Sequence, residues 1–272
     1  MIHLNAPAIT ENKCKLHLTI DSLVAQRLVQ PFKMKKCDAS LDYTKNQHST
    51  LKLKSDFISV NAEGVIDYAT VLDTWKSTLT QHIPSLKSTT SIKQTKDKND
   101  EKNAMSFMVY LHDGRFAHNV FFLPIEMSDG STIQGKLFKD DTHAKLSAFA
   151  EKVKYENHEL ENVSLHLQSK DSSAGLLVQA KKQMMNDNIQ FVLGAQLHDD
   201  LLETNLEWDG VKHHKFSGSL NTMTSFLDDN TIRSSVLPTT IHIEDSIWNV
   251  SKGEFLFSGK NHKIKNLTLN TS

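Results

Sequence analysis

The chain has 272 residues, enough for one large or two ordinary domains with a buried core. Its 31 lysines and arginines nearly balance its 32 aspartates and glutamates, so the net charge gives no electrostatic reason to expect a nucleic acid as partner. With 38% hydrophobic residues, 10 glycines and 5 prolines, the composition argues against a loop-rich catalytic scaffold and favours an elongated protein with much surface for its volume.

The two ends of the chain both read as interrupted strands. Residues 1–10 contain no basic region followed by an apolar run, so they predict neither a signal peptide nor a membrane span. Residues 262–272 also stop within a strand pattern. We therefore expect the chain to be an internal fragment of a longer protein.

The two cysteines, Cys14 and Cys37, are too few for a disulfide framework, and their spacing fits no metal motif. Cys14 occupies an apolar position of an alternating strand, which favours a buried free thiol. A Cys14–Cys37 disulfide in an oxidising compartment is the alternative.

Most of the chain alternates apolar and polar residues with a period of two, which is typical of strands with one buried face. Turn-forming pairs such as Asp113-Gly114, Asp129-Gly130 and Asp199-Asp200 return about every ten residues. The sequence therefore predicts more than a dozen short strands joined as an antiparallel meander. The predicted strands lie in 13–20, 37–43, 49–54, 104–111, 144–150, 161–169, 175–182, 188–197, 201–208, 215–222, 239–245, 253–259 and 265–271.

One segment departs from this period. From Tyr68 to Ile83 the apolar residues recur at three- and four-residue spacing, Asp67 can cap the first turn, and Pro84 marks the end, which predicts a short amphipathic helix over about 67–83. The helix either packs on the surface of the sheet or plugs one of its openings. Residues 87–103 are polar and charged, which predicts a flexible loop between a β-groove segment 1–86 and a segment 104–272 that continues the sheet.

The apolar face of such a sheet must be covered. The strands are too many for one ordinary barrel, whereas a long sheet curled into a trough can leave its lining partly open to acyl chains. Alternation alone does not separate a trough from a pair of sandwiches. The candidate lining residues are Leu16, Leu18, Ile20, Leu51, Leu53, Phe107, Val109, Leu165, Leu167, Phe191, Leu193, Leu206, Phe255 and Phe257.

Four segments together resemble a known family. In residues 55–86 the letters SDF precede a strand, a glycine, an aspartate and a helix that ends at a proline. With residues 123–137, 205–220 and 241–259, in the same order, this segment is similar to the Bacteroidota type of the AsmA-like proteins, in particular the translocation and assembly module (TamB) family.

The resemblance implies a mainly β fold, an elongated antiparallel, taco-like repeating β-groove with an apolar interior. It also implies a periplasmic location in a parent anchored in the inner membrane. The implied function is lipid transport for outer membrane biogenesis, with phospholipid as cargo, or protein translocation and assembly with a TamA- or BamA-type outer-membrane barrel. The helix would then be a lid or a side-packing element.

No catalytic or metal-binding pattern stands out, and we expect no enzyme, no cofactor and no nucleic-acid partner. The 14 histidines are scattered, with His82 among those assigned to polar-facing or loop positions. Trp208 and Trp248 fall near strand ends, as core residues or as rim aromatics that touch lipid headgroups. A sheet edge that assembles outer-membrane proteins is the alternative function, and a β-sandwich adhesin or carbohydrate-binding module is a further one.

Overall fold

The structure is a computed structural model, and its described part is nearly all β-strand, as the sequence predicts. Of the strands in this part, β3 and β4 form a separate hairpin, and the others lie in antiparallel sheet. The described residues are 1–10, 12–25, 32–65, 82–83, 104–115, 124–138, 143–170, 173–184, 187–210, 216–227, 231–258 and 261–271.

The first half of the described chain contains eleven strands. They are β1 (Ile2–Ile9), β2 (Lys13–Ile20), β3 (Leu23–Ala25), β4 (Phe32–Met34), β5 (Cys37–Thr44), β6 (His48–Ser55), β7 (Ile58–Val65), β8 (Ala104–Leu111), β9 (Ile125–Met127), β10 (Thr132–Phe138) and β11 (Ala144–Tyr155).

The second half contains another eleven. They are β12 (His158–Lys170), β13 (Ser173–Met184), β14 (Asp187–His198), β15 (Leu201–Gly210), β16 (Phe216–Phe226), β17 (Thr231–Val236), β18 (Thr239–Ile243), β19 (Ser246–Val250), β20 (Gly253–Ser258), β21 (Asn261–Lys265) and β22 (Leu269–Thr271).

The chain divides into two compact units. Unit 1 comprises Met1–Thr74 and Thr95–Glu159, and unit 2 comprises Trp75–Gln94 and Leu160–Ser272. The predicted helix over 67–83 lies outside the described residues except for His82 and Ile83, and the predicted loop over 87–103 lies wholly outside them.

Within unit 1 the sheet is a meander. The paired strands run β1-β2-β5-β6-β7-β8-β10-β11, and the short strand β9 lies in line with β10 and pairs with the far end of the same strand, β11. Because β8 pairs with β7, residues 104–111 continue the sheet that residues 58–65 belong to.

Within unit 2 the five strands β12 to β16 form an uninterrupted antiparallel meander. Strand β16 then pairs with β18 through its first residues and with β17 through its last ones, so the sheet forks. One branch continues through β20 to β21 and the other through β19 to β22.

Tight turns close these hairpins where the sequence predicts them. Asp199 and Asp200 have φ of 45° and 64° and link the last pair of β14 and β15, His198 and Leu201. Positive φ at both central residues is the signature of the type I′ turn, whose twist matches that of an antiparallel hairpin. Aspartate tolerates this backbone region better than most residues, which explains the Asp-Asp pair.

The register excludes the disulfide alternative. Cys14 of β2 lies opposite Tyr43, whereas Cys37 lies opposite Ile20, six residues further along the same strand. This offset is about 20 Å, far beyond the reach of a disulfide, and both thiols are free. Burial raises the pKa of the Cys37 thiol, and the nearby carboxylates of Asp38 and Asp56 raise it further.

Candidate apolar groove

In unit 1 the predicted lining residues lie on one face of the sheet. Directly paired residues of neighbouring strands point to the same face, so the register defines rows of side chains across the sheet. One such row runs through Leu16, Leu41, Leu51, Ala62, Phe107, Gly135 and Leu146. The next row runs through Leu18, Ala39, Leu53, Val60, Val109, Ile133 and Ala148.

We call this side the apolar face of unit 1. Ile20 belongs to it as well, because it follows Leu18 by two residues on β2 and pairs with Cys37. The register thus brings together all seven candidates predicted in this unit, namely Leu16, Leu18, Ile20, Leu51, Leu53, Phe107 and Val109.

Unit 2 has an apolar face of the same kind. Its central row runs through Leu165, Val178, Leu193, Leu206 and Leu220. The adjacent row runs through Ala180, Phe191, Trp208, Gly218, Ile241 and Trp248. On the same face, Leu167 pairs with Leu176, Phe255 with Ser234 and Phe257 with Ile232. The seven candidates predicted in unit 2 therefore also share one face.

Neither apolar face is sealed like the core of a sandwich. Phe257 is exposed, and the other thirteen candidates are half-buried. Ten apolar residues of the described part are buried, none of them is among the fourteen candidates, and half of them are alanine or cysteine. They are Cys37, Phe57, Ala62, Leu111, Leu137, Ala144, Ala150, Ala180, Ile189 and Val236.

In each unit an aromatic ring on the apolar face covers a directly paired glycine. A Cβ placed on Gly135 would lie 2.6 Å from the ring of Phe107, and one placed on Gly218 would lie 2.7 Å from the ring of Trp208. Only glycine leaves room for these rings to lie so close to the backbone of the neighbouring strand. Sequence reasoning missed this feature, although the cross-strand pairing of the glycine would have identified it once the register was known.

The surroundings of Trp208 show what holds its ring against the sheet. It is half-buried and lies 6.1 Å from Phe216 between ring centroids. Its indole Nε1 is buried and has no acceptor in the described part of the chain. A buried donor without an acceptor costs free energy, so the ring is held by its apolar contacts and not by a hydrogen bond.

His82 corrects one expectation, because its side chain is buried and not polar-facing. Its Nε2 lies 2.8 Å from Oγ of Ser169, and its carbonyl oxygen accepts a hydrogen bond from the backbone N–H of Asp200 at 3.2 Å. Ser169 pairs with Ala174 and follows Leu167 by two residues, which places it at the end of the apolar face of unit 2.

The opposite side of each sheet is polar. In unit 1 Lys15 Nζ donates to Asp42 Oδ2 at 2.9 Å across β2 and β5, and this hydrogen bond holds the pKa of Asp42 below its usual range. Near the far end of β11, Lys152 Nζ donates to Glu159 Oε1 at 2.9 Å, and this hydrogen bond lowers the pKa of Glu159. Both pairs are largely exposed, so they contribute little to stability.

The described cavities open mainly on these polar faces. A shallow cavity of about 460 Å³ in unit 1 is lined by Asn61, Glu63, Met108, Gln134, Lys136 and Lys145, among others. One of about 630 Å³ in unit 2 is lined by Gln190, Glu207, Trp208, Asp209, Ser217 and Ser219, among others. Neither is deep or enclosed enough to resemble a small-molecule active site.

The described residues contain no group of three or more histidines, cysteines and carboxylates placed to hold a metal ion. They also contain no helix with the length and apolar character needed to cross a membrane.

Comparison with known proteins adds no assignment. The chain matches no protein-family model, no curated protein and no solved structure.

Proposed function

We propose that this chain is a non-enzymatic, periplasmic segment of a TamB- or AsmA-like bridge protein that holds or conducts phospholipid acyl chains in an apolar β-groove. The observation that carries the proposal is the apolar face of each unit, which is continuous across five or more strands yet only half-buried. The resemblance to the TamB family supports the periplasmic setting and the link to outer-membrane biogenesis.

The mechanism would be passive. Acyl chains would cover the leucine and phenylalanine rows and remove their remaining apolar surface from water, which is worth about 0.8 kcal/mol for each buried methylene. Headgroups would stay in water at the rim of the sheet. The parent protein would be anchored in the inner membrane, and an outer-membrane barrel of the TamA or BamA type would be its partner at the other end.

The proposal is tested by native mass spectrometry of the purified chain, with lipid extraction from the same sample. We expect bound phospholipid in the unmodified protein and its loss in Leu193→Arg, because this substitution puts a charge into the central apolar row of unit 2. The matched control is Gln196→Arg, since Gln196 lies on the same strand, is exposed and faces Glu203 on the polar side.

Circular dichroism establishes that both variants fold, and Leu193→Gln replaces the arginine variant if that one does not. Absence of phospholipid from the unmodified chain, or equal retention by Leu193→Arg and Gln196→Arg, would overturn the proposal.

A second candidate function, assembly of outer-membrane proteins at a sheet edge, is favoured by strand β1. Within the described residues β1 pairs only with β2, and its apolar side chains Ile2, Leu4 and Ile9 are all exposed. The backbone groups of this edge are not regularly spaced along the whole strand, because Pro7 has no N–H and the register shifts between Asn5 and Ala8. The same mass-spectrometric experiment separates the two functions, because an assembly module would retain polypeptide and not lipid.

A further inference from the structure

The polar face of unit 1 carries an exposed aromatic pair that the lipid proposal does not use. Tyr110 and Phe149 both lie directly opposite Thr132, one from β8 and the other from β11, with 42% and 48% of their surface exposed. Two strand spacings separate them, about 10 Å. They therefore form two exposed aromatic platforms on which a ligand could stack, with the hydroxyl of Thr132 between them.

Neighbouring side chains hold the first platform in place. The ring of Tyr110 lies 4.8 Å from that of His112 between centroids, and His112 Nε2 is 2.7 Å from Oγ of Ser59 on the adjacent strand. This arrangement orients Tyr110 before any ligand arrives, which lowers the entropic cost of binding.

The next row along the strands supplies hydrogen-bonding groups. Asn61, Met108, Gln134 and Ser147 are paired in sequence across β7, β8, β10 and β11. Asn61 and Gln134 are exposed and line the shallow cavity of unit 1. Each carries an amide that can both donate and accept.

The third row is charged. Lys136 and Lys145 lie directly opposite each other, and two like charges in this position destabilise a sheet. Lys136 Nζ lies 5.0 Å from the ring centre of Phe138, and no ion pair involves either lysine within the described residues. Glu63 belongs to the same row but is separated from Lys136 by Ser106. An anionic ligand would relieve the repulsion between the lysines.

We propose that these three rows form a binding site for an acidic oligosaccharide. Sugar rings have an apolar C–H face that stacks on aromatic side chains, hydroxyls that bond amides, and in acidic sugars a carboxylate or sulfate that pairs with lysine. The aromatic row and the lysine row are four residues apart, about 13 Å, so the ligand spans several sugar rings. The site lies on the face opposite the apolar one and is independent of the lipid proposal.

The test is isothermal titration of the full chain with three defined probes, namely trigalacturonate, a hyaluronan tetrasaccharide and a heparin-derived tetrasaccharide. We expect saturable binding of at least one probe with a Kd of about 1 mM or lower, weakening with added salt. We expect Tyr110→Ala, Phe149→Ala and the double variant Lys136→Gln/Lys145→Gln each to weaken it about five- to tenfold.

The controls are Tyr155→Ala and Lys154→Gln, which change an exposed aromatic residue and an exposed lysine near the other end of β11. Cellotriose, a neutral probe, should bind more weakly than the acidic ones. A surface that serves a protein partner would leave all three acidic probes unbound, and this result overturns the proposal. Equal weakening by control and site variants also overturns it.

Discussion

Individual residues explain why the sheet can be apolar on one side without being a closed core. The ring of Trp208 lies on Gly218 and that of Phe107 on Gly135, so a large side chain occupies the surface of the sheet where a second layer would otherwise pack. The sequence predicts Phe107 as a lining residue but gives no hint that its partner must be glycine. The partner of a strand residue is set by register, which alternation alone does not determine.

A substitution of Gly218 tests this arrangement. In Gly218→Ala the new methyl group would lie 2.7 Å from the Trp208 ring and 3.3 Å from Cα of Ile241, so the ring must move. We expect a loss of about 1–3 kcal/mol in the free energy of unfolding and a shift in tryptophan fluorescence. The control is Gly194→Ala, where the nearest atom would be 3.9 Å away. Equal stability of the two variants would show that Trp208 does not rest on Gly218.

At the level of strands, alternation predicts position well and length poorly. The segments 13–20 and 104–111 coincide with β2 and β8. In contrast, β11 continues five residues beyond its predicted end through Glu151, Lys152 and Lys154, which are exposed. Charged residues end the apolar alternation without ending the backbone hydrogen bonds, so the pattern underestimates strand length.

The predicted strand over 265–271 illustrates the opposite error. Asn266 has φ of 58°, so the chain turns there, β21 ends at Lys265 and β22 begins at Leu269. Asparagine accepts this left-handed conformation at low cost, and its position within alternating residues hid the turn.

Strand β14 provides a test of the half-buried face. Ile189 and Leu193 point to the same side of this strand, but Ile189 is buried, whereas Leu193 is only half-buried. We expect Ile189→Ala to lower the free energy of unfolding by about 2–5 kcal/mol, as in a packed core, and Leu193→Ala by less than about 2 kcal/mol. Urea denaturation of both variants measures the difference. Equal losses would indicate that the face at Leu193 is packed as tightly as a core.

At the scale of the whole molecule, the sequence predicts the fold class and the faces but not the functional surfaces beyond them. The apolar faces follow from alternation, and the observed register places all fourteen candidates on them. A change of one residue in the register of a strand would have moved all its side chains to the other face. The aromatic pair on the polar face could not be predicted, because Tyr110 and Phe149 become neighbours of Thr132 only through the pairing of β8, β10 and β11. The burial of His82 likewise depends on a contact with Ser169, 87 residues away.

The central claim, that acyl chains occupy the apolar face, is tested most directly by photocrosslinking along one strand. Benzoylphenylalanine would be placed in turn at positions 190, 191, 192, 193 and 196 of β14, and phospholipid adducts would be measured by mass spectrometry after irradiation in cells. Positions 191 and 193 lie on the apolar face, and positions 190, 192 and 196 lie on the polar one. The account predicts adducts at 191 and 193 alone, with the period of two that a strand imposes. Adducts that ignore this period, or their absence at 191 and 193, would contradict it.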